Sequence, residues 1–206
     1  ILDQIVERRR ADIAAQGWTL GATVPEQRIR GAVVPFIPQK GVVLEIKRAS
    51  PSKGAIALEL DAAATATHYA AAGTSAISVL TESHWFKGSL DDVQAVAKAV
   101  DEYVAQHGVP RIAILRKDFL LAPQEVEIAY RCGADAVLLI ARILDTATLC
   151  AMASTCAEYN MTAFIELRQA DDVQKLAAVV QHIDAAHIVC GVNARDLQDF
   201  SIDLLS

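Results

Sequence analysis

Residues 41–54, GVVLEIKRASPSKG, join an apolar strand to a charged loop rich in hydroxyl groups. The aliphatic run at 42–44 is typical of a strand that a parallel sheet buries on both faces. Glu45 and Lys47 follow without a turn, and because side chains alternate along a strand, these two point to the same face. Opposite charges at the end of a buried strand are costly unless they pair or meet a ligand. The stretch therefore predicts a strand that delivers charge to a site.

The rest of the chain repeats a unit of strand and helix at intervals of roughly thirty residues. An amphipathic helix over 1–15 precedes the first strand, and 17–38, with three of the six prolines, is predicted as a connector. Apolar strands that alternate with amphipathic helices predict right-handed βαβ units and a parallel sheet. The predicted strands cover 42–47, 76–80, 111–115, 136–140, 162–167 and 187–192, and the predicted helices cover 61–72, 90–106, 123–132, 145–159 and 170–182, with another beginning at 199.

Two closures of this sheet compete, a doubly wound open sheet and a (β/α)8 TIM barrel. No GxGxxG or GxxxxGKS pattern follows a predicted strand, which weakens the nucleotide-binding open sheet. Glu45 and Lys47 end the first strand, Lys117 follows the third, and Glu166 ends the fifth. Side chains from alternate strands share a layer inside a barrel, so these charges can converge at its C-terminal mouth. We therefore predict an α/β fold of the (β/α)8 barrel class with an N-terminal helical extension.

The bulk composition narrows the function classes. Nineteen basic and 25 acidic side chains give a net charge of −6, so nucleic acid is not an expected partner. The one basic run, ERRR at 7–10, is predicted to be the solvated face of a helix. No apolar run has the length of a membrane span, and the N-terminus carries no signal-peptide pattern, so we expect no membrane partner.

The four cysteines lack CxxC spacing and lie in apolar surroundings. We expect buried free thiols in a reducing cytoplasm, with neither disulfides nor a metal site. They are Cys132, Cys150, Cys156 and Cys190.

Two charged residues lie at or beside apolar strands. Lys117, in LRKDF, can be a Schiff-base nucleophile, a phosphate anchor or a general acid, and its structural alternative is a salt bridge to Asp118 or to a neighbouring helix. Glu166, in AFIEL, is a carboxylate inside an apolar strand, so either a cation meets it or it works as an acid or base.

Polar loops follow two other strands. Asn193 and Arg195 come one pleat apart after the sixth predicted strand, where a loop cap and an ion pair with Asp196 are the structural alternatives. Trp85 and Phe86 are adjacent aromatics in the loop TESHWFKGS after the second strand. They suggest a platform for a ring, although packing over the barrel rim is equally compatible with the pattern.

Taken together, several long motifs resemble those of the indole-3-glycerol phosphate synthase family of tryptophan biosynthesis. They are LEIKRASPSKG, LTESHWFKGS, LRKDF with GADAVLLI behind it, the glutamate in AFIEL, and GVNARDL, and they span essentially the whole chain. The resemblance implies a (β/α)8-barrel carboxy-lyase that works without a cofactor. Its substrate, an anthranilate carboxylate joined to a ribulose-type phosphate chain, closes a ring and then loses carbon dioxide and water.

The resemblance also implies roles for individual residues. Lys117 looks like the general acid that activates the ketone for ring closure, and Glu166 like the acid/base of the dehydration. Lys47 matches the cation that meets anionic substrate groups, and Glu45 the carboxylate that positions it or exchanges protons with it. Arg168 departs from the pattern, since relatives often carry histidine there. The implied substrate-binding positions are Ser50 and Ser52 in the mobile first loop, Phe86 beside the anthranilate ring, Asn193 and Arg195.

Six strands are predicted where a barrel of this class has eight. We therefore expect one domain, with a helical extension over 1–40 and six barrel strands over 41–206. The last two strands and the phosphate-binding loops after them are expected to be missing. On this expectation the chain has little activity alone, and a further C-terminal segment or a fused pathway domain is a possible partner.

Three alternatives stay open from the sequence. A phosphoribosylanthranilate isomerase would want a cysteine and aspartate pair at strand ends, and no strand end offers a cysteine beside a carboxylate. A Schiff-base aldolase would use Lys117. A non-catalytic barrel piece would act only by docking to a complementary segment.

Overall fold

The structure is a computed structural model that describes residues 1–36 and 41–193 of the 206-residue chain. The helix predicted from residue 199 lies outside this range. The helices are α1 (Leu2–Gln16), α2 (Ala62–Ala71), α3 (Leu90–His107), α4 (Pro123–Arg131), α5 (Thr146–Glu158) and α6 (Ala170–Val180). None of these helices is long and apolar enough to cross a membrane.

The strands follow the predicted pattern, with one addition. They are β1 (Val43–Ile46), β2 (Ala49–Ser50), β3 (Gly54–Ala55), β4 (Ala76–Leu80), β5 (Ala113–Lys117), β6 (Ala136–Ile140), β7 (Thr162–Leu167) and β8 (Ile188–Val192). The antiparallel hairpin β2–β3 lies in the loop after β1 and was not predicted. Short 3₁₀ turns occur at Ala141–Ile143 and Ala185–His187.

The main sheet is parallel, with the strand order β1-β4-β5-β6-β7-β8. Apart from the β2–β3 hairpin, each strand therefore pairs with the strand that follows it along the chain, and the strand order never reverses. A doubly wound sheet reverses its strand order at a switch point, whereas a barrel adds each strand beside the last. The predicted barrel class is confirmed, and the described residues supply six of its strands.

The two faces of this sheet have different partners. Alternate residues such as Ile77, Ile114 and Ile165 are fully buried in a core between the sheet and the surrounding helices. The opposite face carries the residues in between, among them Glu45, Lys117 and Glu166, and these line a cavity. The period-two alternation of a strand thus separates the apolar core from the charged face.

Helix ends follow the sequence signals. The Asp61 carboxylate caps α2 by accepting hydrogen bonds from the backbone N–H groups of Ala63 and Ala64, at 2.9 and 3.1 Å. Gly108 ends α3 in the left-handed conformation, with φ of 64°, which a residue without a Cβ adopts at no steric cost. These caps place the strand ends that follow each helix.

The bounds of β5 differ from the prediction by two residues. The strand was predicted at 111–115 but runs over Ala113–Lys117, because its pairing with β4 begins at Ala76↔Ala113 and ends at Leu80↔Lys117. The pairing partner, which the apolar run does not reveal, sets the strand end. Lys117 is therefore the last residue of the strand and does not follow it.

The basic run at 7–10 is not uniformly solvated, so that prediction is wrong for Arg9. Arg9 is only 5% exposed, whereas Arg8 and Arg10 are exposed. Helical spacing places Arg9 on the same face as Leu2 and Ile5, which pack onto the sheet. Two buried carboxylates, described below, compensate its charge.

The connector between α1 and β1 is anchored to the buried carboxylate of Asp135, immediately before β6. Arg28 and Arg30 form ion pairs with Asp135 at 2.6 and 2.5 Å. The same carboxylate accepts hydrogen bonds from the backbone N–H groups of Val34, at 3.1 Å, and Ile114, at 2.9 Å. Residues 17–36, which form no helix or strand, are thereby attached to the sheet.

All four cysteines are free, as predicted, but they are not all buried. Cys132 and Cys156 lie in the helix-side core, and burial raises the pKa of the Cys132 thiol to about 11. Cys190, in β8, is exposed. The expectation of a buried thiol is therefore wrong for Cys190.

Candidate active site

A cavity of about 420 Å³ opens on the inner face of the sheet. Its charged residues lie at the C-terminal ends of their strands: Glu45 near the end of β1, Lys117 at the end of β5 and Glu166 near the end of β7. This is the end at which (β/α) barrels carry their active sites. The lining residues are Phe36, Val43, Glu45, Ser78, Leu115, Lys117, Leu138, Phe164, Glu166, Gly191, Val192 and Asn193.

Glu45 joins two lysines, of which Lys117 lines the cavity and Lys47 does not. Lys117 Nζ donates to Glu45 Oε2 at 2.7 Å, and Lys47 Nζ donates to the other oxygen, Oε1. Burial by itself would raise the pKa of Glu45, but Lys117 and then Lys47 outweigh it, and the pKa lies below its usual value. Glu45 is therefore a stable carboxylate that orients both ammonium groups.

Lys117 does not form the salt bridge to Asp118 or to a neighbouring helix that was the structural alternative to a catalytic role. Its ion-pair partner is Glu45, 72 residues away in sequence, and the neighbouring Asp118 is paired with Arg9 and Arg116. The Lys117 side chain is 37% exposed, so it is accessible from the cavity. The charges predicted to converge from different strands therefore do meet.

Glu166 has the opposite electrostatic environment. Burial raises its pKa above the usual value, and this outweighs the hydrogen bond that Asn193 Nδ2 donates to Oε1 at 3.2 Å. Two carboxylates with opposite shifts in pKa are the pattern of a site with separate acid and base roles. Glu45 is suited to remain ionised, and Glu166 is suited to carry a proton.

Asn193 is positioned by the backbone at the end of β8. Its N–H donates to the Leu167 carbonyl at 3.0 Å, and its own carbonyl accepts from Arg168 Nη1 at 2.8 Å. The side-chain amide is directed at Glu166. Arg168, the residue that departs from the resembling pattern, has a structural role in this contact.

Three predicted substrate-binding residues are not among those that line the cavity in the described part of the chain. Ser50 is buried in the β2–β3 hairpin, where its Oγ accepts from the Lys53 N–H at 3.3 Å, and Ser52 is exposed. Phe86 packs against Phe119, with ring centroids 6.1 Å apart, in a cluster that includes residues of α1. Rim packing is therefore what the structure shows for Phe86. Arg195 lies outside the described residues.

Sequence reasoning missed Ser78, which lies in the middle of β4. Its side chain lines the cavity, and its Oγ is the one buried side-chain polar atom in the described residues with no hydrogen-bond partner. Ser78 is directly opposite Glu45 in the β1–β4 register. A single serine in the apolar run AISVL was the available signal, because a buried hydroxyl needs a partner.

Comparisons with a family model and with individual relatives point to the same family. The sequence model of the family described as "Indole-3-glycerol phosphate synthase" matches residues 2–206. The chain belongs to this family. Relatives named indole-3-glycerol phosphate synthase from Mycolicibacterium smegmatis and Rhodococcus opacus are each 37% identical over 210 residues, which cover 98% of this chain and 71% and 72% of theirs.

Solved structures similar to this member of the indole-3-glycerol phosphate synthase family support the fold alone. An HpcH/HpaI aldolase from Desulfitobacterium hafniense has a TM-score of 0.52 and 14% identity over 78% of this chain and 64% of that one. A phospho-2-dehydro-3-deoxyheptonate aldolase from Thermotoga maritima has a TM-score of 0.51 and 12% identity over 88% of this chain and 54% of that one.

Proposed function

We propose that this member of the indole-3-glycerol phosphate synthase family catalyses the reaction for which its relatives are named. The substrate is a phosphorylated ketone that carries an anthranilate group, and the product is indole-3-glycerol phosphate. The observation that carries the proposal is the contact between Lys117 and Glu45, at 2.7 Å, in one cavity with Glu166. Ring closure and dehydration need positioned proton donors, and Lys117 and Glu166 supply them.

Ring closure is assigned to Lys117. The anthranilate ring carbon that bears the carboxylate attacks the ketone carbon, and Lys117 gives a proton to the ketone oxygen, which becomes a hydroxyl. Glu45 orients the ammonium group without removing its charge. Carbon dioxide then leaves, and the electrons of the broken carbon–carbon bond restore the aromatic ring.

Dehydration is assigned to Glu166. The hydroxyl formed in the first step leaves as water when Glu166 gives it a proton. The neighbouring ring CH2 group loses a proton to Lys117, which ring closure left as a neutral amine, and this completes the carbon–carbon double bond of the indole. The raised pKa of Glu166 keeps that proton available at higher pH than for an ordinary glutamate. Asn193 orients the carboxyl group through its side-chain amide.

Substrate recognition follows from the remaining lining groups. Lys117, which lines the cavity, and Lys47, which does not, share the Glu45 carboxylate, so a net positive charge remains beside the cavity for the anionic groups of the substrate. Phe36 and Phe164, with ring centroids 5.8 Å apart, provide an apolar surface for the anthranilate ring. The Ser78 hydroxyl adds a hydrogen-bonding group on the same side as Glu45.

The free thiols fit a reducing compartment, and we propose the cytoplasm.

The test is fluorescence-monitored formation of indole-3-glycerol phosphate by the parent chain, Lys117→Ala and Lys117→Arg. We expect the alanine variant to lose a factor of about 10² to 10⁴ in kcat, because a positioned proton donor is removed. The arginine variant keeps the charge but releases its proton poorly, so it should remain close to the alanine variant.

The assay is run with the chain alone and with the C-terminal segment of a relative, because β1 and β8 each pair on one side only within the described residues. Product under either condition, lost in Lys117→Ala, supports the proposal. No product under both, or equal rates for parent and Lys117→Ala, contradicts it. Borohydride trapping of Lys117 with a ketose phosphate would instead favour the Schiff-base aldolase.

A further inference from the structure

A buried network of charges surrounds the strand end that carries Lys117. Its charged members are Arg9 from α1, Arg116 from β5, Asp118 and Glu125, all of which are at most 5% exposed. Two positive and two negative charges balance one another. Because an unpaired buried charge is strongly unfavourable, removing one member leaves another uncompensated.

Arg9 connects the two carboxylates from outside the barrel. Its Nη2 lies 3.0 Å from Asp118 Oδ2 and 2.5 Å from Glu125 Oε1, and its Nε lies 3.2 Å from the same Glu125 oxygen. A planar guanidinium can bridge two carboxylates in this way, whereas a lysine ammonium offers a single point of charge. α1 is thereby joined to the β5–α4 segment by a polar contact as well as by its apolar face.

The two carboxylates in turn hold the backbone that follows Lys117. Asp118 Oδ1 accepts from the Phe119 N–H at 2.8 Å, and Glu125 Oε2 accepts from the Leu121 N–H at 2.8 Å. On the strand itself, Arg116 donates to Asp118 at 3.0 Å. Lys117 therefore lies between two residues of the network, while its own side chain faces the cavity.

Thr81 joins the network to the neighbouring strand. Its Oγ1 donates to Asp118 at 2.5 Å and accepts from Arg116 Nε at 3.2 Å. Its backbone N–H donates to the Lys117 carbonyl at 3.1 Å. The neighbouring strand thus holds the backbone of Lys117, and the Arg9-bound carboxylates hold the loop that follows it.

We propose that Arg9 is a positioning residue for Lys117, so that docking of α1 sets the geometry of the candidate acid. The inference rests on the proposed function of Lys117. Without the Arg9 bridge, the loop at 118–121 loosens and the Lys117 ammonium is no longer held at hydrogen-bonding distance from Glu45. Misplacement of a catalytic group by about 1 Å can cost a factor of about 10² in rate.

The competing explanation is that Arg9 only stabilises the fold. Three variants separate the two: Arg9→Met removes the bridge, Arg9→Met/Glu125→Gln removes it but restores charge balance, and Arg8→Met changes an exposed neighbour. Asp135→Asn is the matched control, since it weakens a buried network that contacts β5 at Ile114, near the opposite end of the strand from Lys117. All are measured at a temperature at which circular dichroism shows them folded.

We expect kcat to fall about ten- to a hundredfold in Arg9→Met, with KM changed less than about threefold. The double variant should regain thermal stability without regaining kcat. Arg8→Met and Asp135→Asn should keep the parent kcat. If kcat recovers together with stability in the double variant, or if Asp135→Asn lowers kcat as much as Arg9→Met, the inference is wrong.

A second measurement does not depend on turnover. Trace labelling of the lysines with acetic anhydride, followed by mass spectrometry, gives the rate at Lys117 relative to that at Lys98 in α3. We expect this ratio to rise at least threefold in Arg9→Met and to remain at the parent value in Asp135→Asn, because only the first change loosens the Lys117–Glu45 pair. An unchanged ratio in Arg9→Met overturns the inference. The two proposals can also fail separately. If the parent chain has no synthase activity but the labelling ratio still rises in Arg9→Met, the proposed function is refuted and the positioning role stands.

Discussion

Glu45 and Glu166 line the same cavity, yet their surroundings move their pKa values in opposite directions. Lys117 and Lys47 keep Glu45 ionised, whereas burial favours the protonated form of Glu166. A carboxylate accepts protons more readily when its ionised form loses a hydrogen-bond donor. The Asn193 amide is such a donor to Glu166.

Replacement of Asn193 by alanine therefore tests the role of Glu166. The pKa of Glu166 should rise further, so that the alkaline fall in kcat moves to higher pH, and Glu166→Gln should abolish that fall and lower the rate. The measurement is the pH profile of kcat for the parent and both variants, since kcat reports groups in the substrate complex. An alkaline limb at the parent pH in Asn193→Ala would show that Glu166 is not the group that limits the rate.

Prediction from single residues succeeded where charge was in the wrong environment for a strand. Glu45, Lys117 and Glu166 were recognised because charge in an apolar strand needs an explanation. Arg9 was missed because a cation on a helix normally faces water, and nothing local indicates that two carboxylates more than a hundred residues away will meet it.

At the scale of elements, the connector between α1 and β1 depends on Asp135. Four groups converge on its carboxylate: the guanidinium groups of Arg28 and Arg30 and the N–H groups of Val34 and Ile114. Its described residues, 17–36, form no helix or strand, so these polar contacts hold them where no hydrogen-bond ladder does.

Asp135→Asn should lower the free energy of unfolding by about 3 to 5 kcal/mol, because it removes the carboxylate that pairs with the buried Arg28 and leaves Arg30 with Asp101 alone. Urea denaturation followed by circular dichroism measures the change. Asp61→Ala, which removes an exposed helix cap, is the comparison and should cost about 1 kcal/mol. Equal losses for the two variants would show that the buried network contributes no more than a cap.

Element types were predictable because the helices follow a helical hydrophobic period, several with a cap signal such as Asp61, and each strand of the main sheet is an apolar run. The ends of elements were less predictable. In β5, for example, the pairing with β4 extends the strand to Lys117. The β2–β3 hairpin was missed because its two-residue strands are too short for an alternation pattern to appear.

At the scale of the whole molecule, buried carboxylates make stability depend on pH. Burial alone would raise the pKa of Asp118, but Arg9 and Arg116 outweigh it, and the pKa lies below its usual value. A carboxylate with a lowered folded-state pKa contributes stability above its unfolded pKa, about 3.9 for aspartate, and this contribution is lost as the pH falls through the folded-state value. Glu45 contributes with the same sign. Glu166, with its raised pKa, has the opposite sign, and its contribution is lost as the pH rises through its folded-state value.

We therefore expect the parent Tm to fall as the pH is lowered from 6 toward 3. Asp118→Asn should start from a lower Tm and show a shallower fall, because the side chain no longer binds a proton. Differential scanning calorimetry at several pH values measures both slopes. Parallel curves for the two proteins would assign the acid sensitivity to other groups.

The amino-acid sequence by itself determined the fold class, the order of strands and helices, and the residues that carry charge to the barrel mouth. These follow from local rules: hydrophobic period, caps, and the cost of charge in an apolar strand. The tertiary structure alone decided that Lys117 meets Glu45, that Ser78 faces the cavity without a partner, that Phe86 packs on the rim, and that Arg9 is buried. Each of these depends on residues far apart in sequence, because the surroundings of a side chain are set by the surfaces that the fold brings together, which no local pattern records.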